Sequence, residues 1–259
     1  MIEEPYRWVE AIANRREYIE TQLASGSPIA ALSYRDGILF VTVGRGRQKL
    51  FEIYDRIAMG AMGHPGDIER LRMAAIELAS TEGFTRSAAD VSLRRLAFYS
   101  LSPVLKTAFE QVYGAPFLAR MIFAEVGSSV TEDLFLRVEY DGAITAHGPV
   151  GESHPPRFCA ISGNPRATEL MEALLRREHD PDCTLNRAMK LALEAWSVGS
   201  MPPPENGQAE IPSAETLLRH RNDELKTAAI EGCVLERGAT SAIRYRPIGG
   251  EELKRLVAA

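Results

Sequence analysis

Few side chains in this sequence are arranged for chemistry. The clearest is Lys49, which stands directly before a short apolar run in RQKLFEIYDRIAMGAMGHPGDIERLR (residues 47–72). A cation at the head of a strand, followed by small residues, a Gly/Pro break and an amphipathic helix, reads as catalytic machinery or as the same scaffold with its chemistry removed. The plain alternative is a solvated surface lysine. Metal chemistry has little to build on. The five histidines and three cysteines are scattered, and the nearest approaches to a ligand pair are His154 with Cys159 and His179 with Cys183. Neither has the short paired spacing of a zinc site, so no metal and no cofactor are expected.

The bulk numbers narrow the setting of that lysine. A chain of 259 residues with 45% hydrophobic content can bury a proper core. A net charge of -5 disfavours nucleic acid as a partner, because phosphate contacts need a clustered basic surface. The sequence shows neither an apolar membrane span nor an apolar signal segment, and its cysteines Cys159, Cys183 and Cys233 are odd in number and irregularly spaced. These features point to a reducing cytoplasm, with the thiols as small buried residues.

The elements that must position Lys49 follow from periodicity. EEPYRWVEAIANRREYIETQL places Trp8, Ile12, Ile19 and Leu23 on one face of a leading helix, with Pro5 suited to its first turn. IAALSY and ILFVTV flank Arg35-Asp36-Gly37 as a hairpin, its glycine read as accepting positive φ, and their apolar continuity predicts a sheet covered on both faces. A helix follows Gly66 and is expected to end at Gly83. A second helical pattern runs from Ser87 to Tyr113, split or kinked by Pro103. Then come FLARMIFAEV, LFLRVEYDGAITAHG with an Asp141-Gly142 turn, FCAISGN, two consecutive helices, and a final hairpin and short helix. The stretch 199–227 has the Pro, Gly and polar content of a surface loop. Helices arriving in pairs between antiparallel strand blocks predict an α+β fold, two antiparallel sheets face to face with helices outside.

That order, together with KLFEIYDRIAMGAMGHPGDIERLR, resembles the proteasome subunit family. SPIAALSYRDGILFV, LFLRVEYDGAI, the Ser162-Gly163-Asn164 turn and the ending GCVLER…AIRYRPI…EELKRL extend the likeness over nearly the whole chain, excepting residues 200–216. QKLFEIYDR and the leading helix are most similar to the α-type subunit of the bacterial, actinobacterial-style core particle. The resemblance implies the four-layer αββα sandwich of N-terminal-nucleophile hydrolases. A single domain over 1–259 is expected, with 1–26 as gate segment and helix.

The resemblance also assigns roles. In the catalytic β-type subunit a freed N-terminal threonine attacks the peptide, its own amine acting as base. Counting from the hairpin puts Ser27 at that position, Val43 where an aspartate would stand, and Lys49 at the lysine. A self-processed amidohydrolase using Ser27 and Lys49 is the alternative function. Against it stand the missing acid, the restricting Pro28, and a well-patterned helix ahead of Ser27. An α-type subunit is instead not an enzyme itself. The resemblance implies a seven-membered ring of copies, contacts with a catalytic β-type subunit, and docking of a hexameric AAA+ ATPase whose C-terminal carboxylate meets Lys49 in a pocket with Gly26 and His64. Met1, Ile2, Glu3, Glu4, Pro5 and Tyr6 would form the gate. Trp8, Ile12, Ile19 and Leu23 would form the ring contact.

Overall fold

The computed structural model describes residues 5–111, 113–146, 156–202 and 210–258. Helix α1 (Pro5–Leu23) leads into strands β1 (Ile29–Tyr34), β2 (Gly37–Gly44), β3 (Leu50–Tyr54) and β4 (Ile57–Gly63), then helix α2 (Pro65–Thr85). A short 3₁₀ turn, the one-turn helix α3 (Leu93–Arg95), a π-helix over Leu96–Leu101 and helix α4 (Ser102–Glu110) follow. Strands β5 (Ala119–Glu125), β6 (Leu134–Val138), β7 (Ile144–Ala146) and β8 (Phe158–Ile161) precede helices α5 (Pro165–Glu178), α6 (Leu185–Ser200) and α7 (Ala214–Glu224). The chain closes with β9 (Ala229–Glu236), β10 (Tyr245–Pro247) and α8 (Gly250–Ala258).

The strands form two five-stranded sheets in the orders β10-β9-β2-β1-β8 and β3-β4-β5-β6-β7, and every pairing is antiparallel. Ile29, Ala31, Ile38 and Phe40 of the first sheet meet Leu50, Ala58, Ile122 and Ala124 of the second between the layers. The opposite face of the first sheet packs on α5, α6 and α8, and that of the second on α2, α4 and the π-helix. The expected αββα sandwich is the architecture found. β1 is buried at every position and β2 at all but its last, as two-sided coverage requires.

Local details correct some of the expectations. Gly37 does not adopt positive φ. A Cβ there would lie 2.0 Å from the Leu235 carbonyl oxygen, so the close approach of β9 selects glycine at the hairpin. Gly142, in the second hairpin, does take positive φ (80°). Helix α2 runs through Gly83 to Thr85, because Gly83 makes room for the Tyr54 phenol rather than ending the helix. Pro103 marks the passage from π-helix to α4, where its missing N–H costs nothing in a first turn. The stretch 199–227, expected as loop, holds α7 in its second half. Ser213 caps that helix and Leu217 alone is buried on it, too little periodicity to stand out.

Candidate functional site

The loop after α1 places Ser27 at the head of β1. Gly26 N–H donates to the Leu23 carbonyl at 2.8 Å and turns the chain out of the helix. Gly163 lets this turn settle, since a Cβ there would meet the Ala24 and Leu23 carbonyl oxygens at 2.3 and 2.6 Å. A Cβ on Gly26 would meet the flexible end of the Met62 side chain and, at 3.0 Å, the Leu23 oxygen. Ser27 Oγ donates to the Val43 carbonyl oxygen and accepts from the Trp196 indole N–H at 3.1 Å. The Ser27 nitrogen lies in the peptide bond from Gly26. Hydroxyl and nitrogen are thus both engaged, and the Val43 side chain is buried.

Lys49 has the opposite character. Its backbone is clamped: the Glu231 carboxylate, reaching over from β9, accepts from Lys49 N–H at 3.0 and 3.1 Å and from Leu50 N–H at 2.9 Å, and the Lys49 carbonyl accepts from Ala61 N–H at 2.9 Å. Its ammonium has no hydrogen-bond acceptor and no ion-pair partner among the described residues. Burial holds it below the usual lysine range, and Glu231 offsets part of that. Glu231 itself is raised by burial, against the pull of the two backbone N–H groups.

Ser27, Gly26 and Lys49 line one cavity of about 1000 Å³. Its walls come from the α1–β1 turn, the β2–β3 loop, the β4–α2 junction, the β8–α5 turn and the end of α6, which contributes Trp196. His64 is not in this wall. It caps α2 with extended backbone and no side-chain cap bond, donates its N–H to the Leu118 carbonyl at 2.7 Å, and is exposed, leaving Gly63 and Pro65 at the cavity edge. Trp196 and Glu231 belong to the site without any signature in the sequence. They lie 169 and 182 residues from the groups they hold, and no local pattern announces such a pairing.

The leading helix divides in two. Ile19 and Leu23 are fully buried against Phe109 and Tyr140 of the same chain, with Ile12 partly buried beside them. Polar contacts reinforce this half. Glu20 accepts from the Arg120 guanidinium at 3.0 Å and from the Tyr140 hydroxyl at 2.9 Å, while Arg15 donates to carbonyls at the end of α4 at 2.8 and 3.3 Å. Trp8 is 41% and Val9 66% exposed. The expectation that all four apolar residues form an outward contact therefore changes: Ile19 and Leu23 anchor α1 to its own sheets. Of the gate residues, Met1 to Glu4 lie outside the described residues, and Pro5 and Tyr6 begin α1. His154 also lies outside them. His179 sits at 2.8 Å from the Ser33 carbonyl oxygen, and its ring meets Phe158 edge-on. No described helix is long and apolar enough to cross a membrane.

The αββα sandwich of two antiparallel sheets is the N-terminal-nucleophile-hydrolase architecture, here with a packed helix ahead of Ser27 and Lys49 entering β3. No protein-family model matches the chain. Curated relatives do. The chain is 32% identical over 251 residues to "Proteasome subunit alpha" of Streptomyces griseus subsp. griseus, a match covering 96% of this chain and 82% of that one. It is 33% identical over 240 residues to the protein of the same name from Streptomyces coelicolor (90% and 89%), and 30% over 250 residues to that of Frankia casuarinae (89% and 95%). The chain belongs to the bacterial proteasome α-subunit family.

Proposed function

We propose that this α subunit is non-catalytic and builds the outer ring of a cytoplasmic protease core particle. In this reading, copies of the chain form a seven-membered ring, rest on a catalytic β-type subunit and dock a hexameric ATPase. The observation that carries it is the contrast within one cavity: the hydroxyl and nitrogen of Ser27 are engaged, while the Lys49 ammonium is unpaired. An unpaired, half-buried cation loses solvation without compensation, so a carboxylate entering the cavity gains a charge-assisted contact. The C-terminal carboxylate of a partner chain is such a ligand, and Gly26 forms part of the wall beside it. His64 lies between the cavity-edge residues Gly63 and Pro65 and is not part of the proposed contact.

The chain is taken as a single domain, 1–259, with residues 1–6 as the gate and 199–227 as a peripheral segment. Trp8 and Ile12 are the ring-contact candidates, since Ile19 and Leu23 are engaged internally. Deletion of residues 1–6 is expected to raise peptide hydrolysis by a reconstituted particle, and an unchanged rate would count against gating. The pocket itself is tested by titrating the assembled chain with a synthetic peptide carrying the C-terminal residues of the activator, as the free acid and as the C-terminal amide. Removing a charge-assisted contact of about 1.5–3 kcal/mol should weaken the acid roughly tenfold to a hundredfold in Lys49→Ala. Equal binding of acid and amide to the unaltered protein would overturn the pocket reading.

A further inference from the structure

The features that leave Lys49 free to meet a carboxylate also leave its nitrogen free to react. The carboxylate nearest in influence, Glu231, already accepts three backbone hydrogen bonds and makes no ion pair with the ammonium. The neighbouring β2 residue, Gly44, puts no side chain against Lys49: a Cβ built there would touch Lys49 Cε and Nζ at 3.7 and 3.8 Å, and a larger side chain would crowd the amine. The cavity beyond is about 1000 Å³. Arg45 and Arg47, both exposed, stand on its β2–β3 lip, and Arg45 pairs with Glu224 at 3.5 Å. Two guanidinium groups beside an open amine favour an anionic reagent.

The chain has only four other lysines. Lys106 on α4, Lys226 in the turn after α7 and Lys254 on α8 are exposed and their ammonium groups are ion-paired with Glu110, Asp223 and Glu251 at 3.9, 2.8 and 2.7 Å. Lys190 is exposed on α6.

We propose that Lys49 is an acylation site for small acyl phosphates, reacting ahead of every other lysine in the chain, and that its neutralisation closes the cavity to carboxylate ligands. After the ammonium gives its proton to water, the Nζ lone pair attacks the acyl carbonyl. The C–N bond forms, the C–O bond to phosphate breaks, phosphate leaves with the bonding pair, and the nitrogen loses its second proton to water. The product is a neutral amide with no ammonium to offer a carboxylate. This second half rests on the carboxylate reading of the pocket. The first half does not.

The test treats the full chain with acetyl phosphate to low extent and counts acetylation site by site by peptide mass mapping. Burial lowers the Lys49 ammonium from the usual lysine range, which raises its share of free amine, and the open cavity admits the reagent. Lys49 is therefore expected to react faster than Lys190, and Gly44→Leu, which crowds the amine, should slow Lys49 alone. Lys49 reacting no faster than Lys190, or unaffected by Gly44→Leu, would overturn the acylation site. Binding of the free-acid peptide is then measured before and after treatment, with Lys49→Arg as the chain that cannot be acylated there. Loss in the unaltered chain but not in Lys49→Arg supports the switch. Preferential acylation of Lys49 with binding intact would refute the carboxylate reading and leave the acylation site standing.

Discussion

A hydroxyl becomes a nucleophile only when a base can take its proton and the attacking atom is otherwise free. Ser27 meets neither condition, since its proton points at the Val43 carbonyl and its nitrogen is an amide. Other single residues carry stability rather than chemistry. Asp133, whose side chain is 0% exposed, accepts from both Arg237 guanidinium nitrogens at 2.8 and 2.9 Å, from Ser33 Oγ at 2.6 Å and from Gly127 N–H at 3.0 Å. Asp133→Ala strands a half-buried guanidinium and is expected to cost about 3–5 kcal/mol in urea unfolding. His179 gives a pH prediction. Burial lowers it from 6.5, with the Ser33 carbonyl and Asp180 offsetting part of the shift. The unfolded chain therefore takes up this proton first, so the His179 contribution is present above pH 6.5 and declines as pH falls below it. Between about pH 7.5 and pH 5.5 the unaltered chain should lose more melting temperature than His179→Gln, and parallel losses would contradict the assignment. At this scale Lys49 stands out in the sequence as a cation heading a strand, while Ser27 is singled out by the resemblance, counted back from the hairpin. Trp196, Glu231 and Asp133 are not legible, because each acts across more than 100 residues of chain or, like Asp133, sits in a loop with no repeating pattern.

Among the elements, α1 bears most on function. Its spacing tells correctly that a helix with one apolar stripe precedes β1, but periodicity cannot say which turns of a stripe face the same chain and which face another. The structure divides it near Ile12, where the chain's own Phe109 and Tyr140 end their reach. Ile19→Asp places a charge in a fully buried site and should unfold the protomer, visible as loss of a cooperative melt. Ile12→Asp should leave a folded protomer that no longer forms rings, read by native mass. Rings from Ile12→Asp would remove α1 from the ring contact. Elsewhere, glycine misleads where it serves packing. At Gly83 and Gly37 backbone freedom is the obvious reading, yet each is fixed by an atom from another element, Tyr54 Oη and the Leu235 carbonyl. Such approaches leave no local trace. Gly142 is legible from its turn, where it takes positive φ, although α4 also approaches it: a Cβ there would lie 2.5 Å from the Ser102 carbonyl oxygen.

For the whole molecule, alternating blocks of strands and paired helices are enough to predict two antiparallel sheets between helical layers, since each block has to bury one face. What the blocks cannot tell is how the sandwich holds the segment before Ser27. Glu20, with Arg120 and Tyr140, binds the end of α1 to β5 and to the stretch just after β6, and Arg120 also donates to the Ser162 carbonyl at 2.8 Å beside the cavity. Cutting the chain after Gly26 would therefore remove Ile19 and Leu23 from the core and Glu20 from Arg120 and Tyr140, as well as free an amine. The helix is a structural part of the subunit, and a chain that keeps it cannot expose an amino-terminal nucleophile. The most direct test is the intact mass of this chain recovered from particles assembled with a catalytic β-type subunit. The account predicts a polypeptide that retains α1 through Gly26. A mature product beginning at Ser27 would contradict it.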